Sequence, residues 1–219
     1  MLGFIGILLL CLIGIYILVK KPVIEKKVSP RTKLNLQLEK LWKIQQDALK
    51  TKKYLRAEKA LLMILRADDR NAVAYNRLGM IFAKQGDYEN AIECFEIAQS
   101  LAPSASSFHN VGLVYLDVGD FDKAVIAMKQ AVEMEEGVAF RHISYAQALE
   151  KIGDKKAMIK ELERAVELEP TPQTLKILAQ VYDEDDKKAL ARSLRSQATK
   201  LDKKPRSRKT IKQPNKMTI

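Results

Sequence analysis

The sequence predicts an all-α protein, a solenoid of stacked helix pairs preceded by a single N-terminal membrane-spanning helix. Three observations predict it. Residues 2–19 form one uncharged apolar run. Between residues 72 and 172, apolar and small residues recur in matching columns at a step of 33 and then 34, which marks units that cannot bury an apolar face alone. A glycine followed by an aspartate divides each of those units in two. With 47% hydrophobic and 30% charged residues in 219, the chain is neither disordered throughout nor fibrous. Two cysteines, Cys11 and Cys94, are too few for a disulfide framework or a four-ligand zinc site.

The apolar run, LGFIGILLLCLIGIYILV, has no charge and no proline, and as a helix at ~1.5 Å per residue it crosses a bilayer core of about 27 Å. Only Met1 precedes it, and Lys20, Lys21 and Pro22 follow, so it lacks the basic start and small-residue cleavage site of a secretory signal. Leu10 ahead of Cys11 is not the small residue a lipoprotein site needs. Gly3, Gly6 and Gly14 miss the four-residue spacing of a helix-dimer motif. Lys20, Lys21, Lys26, Lys27, Arg31 and Lys33 against Glu25 make the following side the positive one. A single-pass protein is therefore expected, its N-terminus outside and the rest cytoplasmic, at the plasma or inner membrane if bacterial. Residues 20–37 are expected to be a basic juxtamembrane linker, interrupted at Pro22, Ser29 and Pro30.

In the first helix of each repeat the columns are Tyr75, Phe108 and His142; Leu78, Val111 and Tyr145; Gly79, Gly112 and Ala146; Phe82, Tyr115 and Leu149. In the second they are Ala91, Ala124 and Met158; Phe95, Met128 and Leu162; Ala98, Ala131 and Ala165; Leu101, Met134 and Leu168. Small residues at Gly79, Gly112, Ala146, Ala91 and Ala124 fit close helix crossings. Gly86, Gly119 and Gly153 suit a left-handed helix end, and Asp87, Asp120 and Asp154 suit caps for the next helix. Pro103 and Pro170 end the second helices of their units.

These columns, clearest in AVAYNRLGMIFAKQGDYENAIECFEIAQSLAPS at residues 72–104, resemble the tetratricopeptide repeat. Residues 105–138 and 139–172 continue it. Residues 38–71 keep Leu41, Ile44, Ala48, Tyr54, Ala57, Leu61 and Ile64 in phase without the glycines and read as a degenerate first unit. Residues 173–201, with Leu175, Leu178, Tyr182, Ala189, Leu194 and Leu201, read as a degenerate capping unit, so that the solenoid covers 38–201 and a basic disordered tail 202–219.

The resemblance implies a right-handed superhelix whose concave groove, lined by first helices, holds a partner's peptide or helix. The groove positions it implies are Asn76, Arg77, Met80, Ala83, Lys84, His109, Asn110, Leu113, Leu116, Asp117, Ile143, Ser144, Gln147 and Glu150. The lysine, asparagine and arginine clamp with which part of the family holds chaperone carboxyl-termini is missing: its columns hold Asn76, Met80, Asn110, Phe140 and Ser144. An internal peptide or a helix is thus the expected partner.

The net charge of +11 is uneven, +9 over residues 1–71, −6 over 72–172 and +8 over 173–219. The segment KKPRSRKTIKQPNKMTI at 203–219 holds seven basic residues and no acid; it suits an anionic leaflet, with a solubilising role as the plain alternative. A nucleic-acid or ribosome contact through this tail is the second functional reading, disfavoured by the missing aromatic platforms and the acidic repeats. Catalysis, cofactors and metals are not expected. Nothing assembles a nucleophile with a base, His109 and His142 lack further metal ligands, Cys94 has no histidine near it in sequence, and residues 183–186 lack the spacing of a calcium loop. The function expected is a membrane-anchored scaffold or adaptor for protein–protein interaction.

Overall fold

A computed structural model describes residues 29–203. The expected span at 2–19, the linker up to residue 28 and the tail from 204 lie outside the described residues. The chain divides into two compact units at Lys40 and Leu41; of the first, the described part is Ser29 and the opening turns of a helix. Among the described residues there are ten α-helices and no strand: α1 (Pro30–Lys50), α2 (Tyr54–Ala67), α3 (Ala72–Gln85), α4 (Tyr88–Leu101), α5 (Ala105–Val118), α6 (Phe121–Met134), α7 (Ala139–Lys151), α8 (Lys155–Leu168), α9 (Pro172–Glu184) and α10 (Lys188–Lys203). None of them is long and apolar enough to cross a membrane.

Helices pair as α3 on α4, α5 on α6, α7 on α8 and α9 on α10, and each second helix packs on the next first helix. The small columns explain how closely. At Gly79 an added Cβ would stand 2.8 Å from Phe95 Cε1 and 3.0 Å from the Ala91 carbonyl; at Gly112 it would stand 2.7 Å from Met128 Cγ. Ala146, the third member of the column, is buried in a cluster with Leu149, Met158, Leu162, Leu178 and Ala179. Phe95 sits between Ala91, Val111, Val114 and Ala127, and at 1% exposure its truncation to alanine would cost about 3–5 kcal/mol.

The turn inside each pair is left-handed, with φ of 80° at Gly86, 84° at Gly119 and 78° at Gly153. The next residue caps the second helix: Asp87, Asp120 and Asp154 accept from the backbone N–H groups of Asn90, Lys123 and Ala157 at 3.3, 3.3 and 3.0 Å. First helices are capped by Asn71, which accepts from the Ala74 N–H at 2.9 Å, and by the capping boxes of Ser104 with Ser107 and Thr171 with Thr174. The start of α7 has Val138 and no side-chain cap. There Arg141, 5% exposed, stands where the capping boxes of α5 and α9 have Ser107 and Thr174. Its guanidinium donates to the Ala105 carbonyl at 2.9 Å and to Glu135 at 2.7 Å, tying α7 to the start of α5.

Four expectations are corrected. The linker does not run to residue 37, because Ser29 caps a helix that opens at Pro30: the Thr32 N–H donates to Ser29 Oγ at 3.1 Å, and proline at a first helical position lacks only an N–H that has no partner there anyway. Ala189 and Leu201 are exposed; Ala191 and Ala198 are the buried residues of α10, one period beyond Met158 and Ala165. Met134 is 48% exposed, at the last residue of its helix. The tail does not begin at 202, since α10 continues through Lys203.

Candidate functional site

The first helices α3, α5 and α7 carry the residues expected to line the groove. Met80, Ala83 and Lys84 on α3 and Asn110, Leu113 and Asp117 on α5 surround one hollow of about 370 Å³, floored by Phe95 and Val114. Met80 and Leu113 are each 39% exposed, enough for a partner's apolar side chain to bury part of both. Lys84 and Asp117 bring opposite charges to the hollow. Asn110 Nδ2 donates to Asn76 Oδ1 at 3.2 Å, so each amide keeps hydrogen-bonding capacity to spare.

A second hollow, about 100 Å³, lies between α7 and α9 and is lined by Ile143, Gln147 and Glu150 from the expected set, joined by Ile177, Gln180 and Glu184. The three α9 residues were missed because the groove was ended at residue 150. The period itself reaches two of them, since 33 residues beyond Ser144 and Gln147 stand Ile177 and Gln180; Glu184 stands 33 beyond Lys151, outside the expected set.

The other expected residues are turned to different tasks. Arg77 Nη1 donates to Gln45 Oε1 at 2.6 Å, and its guanidinium carbon lies 4.8 Å from the Trp42 ring centre. Leu116 packs against the buried Ala124 and Met128. Ser144 donates back to the Phe140 carbonyl at 3.1 Å. His109 is buried and meets Phe140 edge-on at 5.0 Å. Burial, with the Arg141 cation as a second cause, lowers its pKa to about 4, so the ring is neutral near pH 7.

His142 behaves differently. Nδ1 lies 2.7 Å from Glu161 Oε2 and Nε2 lies 2.9 Å from the Glu136 carbonyl. The residue joins α7 to α8 at the wall of a wide hollow on the second-helix side, where Glu133, Glu136, Glu161, Glu163 and Glu167 outnumber Lys129, Lys160 and Arg164. Cys94 is buried, and burial, then Glu93 and Asp87, pushes its thiol up to about 11; in the folded chain it is a packing residue. Among the described residues no group of three or more His, Cys, Asp or Glu side chains is arranged to hold a metal. What the surface offers is a row of hollows with apolar floors and polar rims.

Comparison with known proteins agrees with the architecture. No curated protein matches the chain. Among solved structures, MamA is similar at 17% identity and TM-score 0.66, over 73% of this chain and 94% of that one. MamA from Desulfovibrio magneticus RS-1, beginning at its residue 41, gives 18%, 0.68, 78% and 98%. YrrB, described as a TPR protein with an unusual peptide-binding site, gives 18%, 0.59, 72% and 82%. Tetratricopeptide repeat models match residues 70–137 and 142–172. The chain therefore carries tetratricopeptide repeats, in an all-helical solenoid like those of MamA and YrrB.

Proposed function

We propose that the chain is a membrane-anchored scaffold whose concave groove binds a peptide or helix of a protein partner. The observation that carries this reading is the hollow bounded by Met80, Leu113, Asn110, Lys84 and Asp117, where half-exposed apolar side chains lie beside polar ones with hydrogen-bonding capacity to spare. Such a surface suits a partner that contributes one apolar anchor and main-chain hydrogen bonds. The peptide-binding site in the description of YrrB supports the same use of the fold. Residues 2–19 supply the anchor, and the positive flank from Lys20 to Lys33 keeps the repeats cytoplasmic. Arg77, His109, Leu116 and Ser144 act by holding the groove helices in place; the contacting residues are Asn76, Met80, Ala83, Lys84, Asn110, Leu113, Asp117, Ile143, Gln147 and Glu150.

The test is crosslinking in native membranes followed by identification of captured proteins. Met80→Glu with Leu113→Glu, both at exposed positions, should lower capture at least tenfold while helicity and Tm stay near those of the parent. Unchanged capture would reject the groove. Topology is read with Glu89→Cys on the exposed first turn of α4: a membrane-impermeant maleimide should label it only after permeabilisation, and labelling of intact cells would reverse the orientation.

A further inference from the structure

We propose that the hollow between α7 and α9 is the docking site of this chain's own basic segment, residues 204–219, which seats there in competition with a partner. The inference rests on the groove being a docking surface, as above, and identifies one of its occupants.

Charge is the first argument. The two hollows differ in the ions that line them: Lys84 offsets Asp117 in the first, whereas Glu150 and Glu184 line the second, and the neighbouring Lys155, which donates to the Glu184 carbonyl at 3.0 Å, is paired with Asp185 at 3.0 Å. Beneath those carboxylates lie Ile143, Ile177 and Val181 over Met158 and Leu162. A cavity of about 100 Å³ with apolar walls and an anionic rim accepts the stem of one lysine or arginine and neutralises its head.

Chain geometry is the second argument. Lys176 Nζ and Asp202 Oδ2 meet at 3.0 Å on the surface, so the end of α10 lies beside the N-terminal half of α9, one residue from the lining residue Ile177. From Lys176 to Glu184 the helix rises only about 12 Å. The 16 residues after Lys203 reach up to about 55 Å when extended. They hold six basic side chains and no acid, with Ile211 between Lys209 and Lys212. Tethering at such a distance raises the local concentration of the segment to about the millimolar range, so a weak contact suffices to fill the hollow, and salt weakens it.

Zero-length carbodiimide coupling of the full chain tests this, because it joins lysine amines to carboxylates in contact. Mass spectrometry of the monomeric product should find Lys204, Lys209, Lys212 or Lys216 linked to Glu150 or Glu184. The yield should fall at least tenfold in 1 M salt, and likewise in Ile143→Glu with Ile177→Glu, which fill the hollow but leave both reacting carboxylates in place. Links to other carboxylates only, links confined to crosslinked dimers, or no links at all would overturn the assignment. So would absence of links combined with protection of these lysines from acetylation only when phosphatidylserine vesicles are present, which gives the segment to lipid. The Met80→Glu and Leu113→Glu variant lies in the other hollow and keeps the two claims apart. Loss of partner capture in that variant without any tail links in the parent overturns the tail assignment alone; tail links with capture insensitive to that variant support it and overturn only the partner reading.

Discussion

The interior repeats turn on Gly86, Gly119 and Gly153, whereas the flanking units make the same turn on Lys52, with φ of 54°, and Asp186, with φ of 57°. The five positions step by 34, 33, 34 and 33, so the backbone keeps its period where the residues that favour it are gone. Caps follow the same division. Asp87, Asp120 and Asp154 cap their helices, but Lys53 makes no side-chain cap bond. In the interior, local preference and packing agree; at the ends, packing alone imposes the geometry. Ala57, Leu61 and Ile64 on one side and Leu175, Leu178 and Ala191 on the other are each at most 3% exposed, and burial of this kind outweighs about 1 kcal/mol of unfavourable turn conformation.

The sharpest way to probe this contrast is at the crossings. Gly79→Ala should destabilise by about 2 kcal/mol, because the new methyl meets a rigid Phe95 ring and a backbone carbonyl, and overpacking exceeds the helix-propensity gain. Gly112→Ala should cost about 1–2 kcal/mol, somewhat less than Gly79→Ala, because the buried Met128 whose Cγ stands 2.7 Å away can re-rotate and the nearest carbonyl, that of Ala124, is 3.5 Å off,. Chemical denaturation measures both; equal losses would remove the distinction.

Next come the turns and caps. Gly119→Ala should lose about 1–2 kcal/mol, and Asp120→Ala about 1 kcal/mol. Lys52→Gly and Asp186→Gly should instead gain about 0.5–1 kcal/mol. If the terminal substitutions were neutral, the left-handed turns would carry no strain.

The smallest effect belongs to His109. His109 has its folded pKa lowered to about 4, so the unfolded chain takes up this proton more readily. Its contribution to stability is therefore complete above the unfolded pKa of about 6.5 and is lost as the pH falls toward 4. His109→Phe should flatten that part of the stability profile. It also removes Nδ1, a buried nitrogen with no partner among the described residues, so stability near pH 7 should not fall. Parallel profiles for the two proteins would contradict the burial argument.

The period and the small columns were legible in the sequence because stacking repeats the same constraint three times, and one weak signal seen three times becomes strong. Gly79 and Gly112 at their crossings are the clearest instance. The terminal turns were not legible, since lysine does not announce a left-handed residue and Asp186, of a type that tolerates it, is one of three aspartates in the run 183–186,. The Ser29 cap was misread because proline breaks a helix in its interior and starts one at its first position. Arg141 and Gln45 were missed for another reason: each is a polar residue at a buried position, and its partners, Ala105 and Arg77, stand 36 and 32 residues away. Of the groove, Met80, Leu113 and Asn110 follow from their columns, but the fate of His109 and Arg77 depends on Phe140 and Trp42, which no periodicity relates to them.

The silent thiol of Cys94 has a practical use. Shielded in α4 and held un-ionised at neutral pH, it reacts with alkylating reagents only when that helix opens. Its modification rate, followed on the isolated peptide so that Cys11 does not interfere, is a clock for the opening of the solenoid's middle. Added to chain carrying a captured partner, the same reagent would read out how firmly that partner closes the groove.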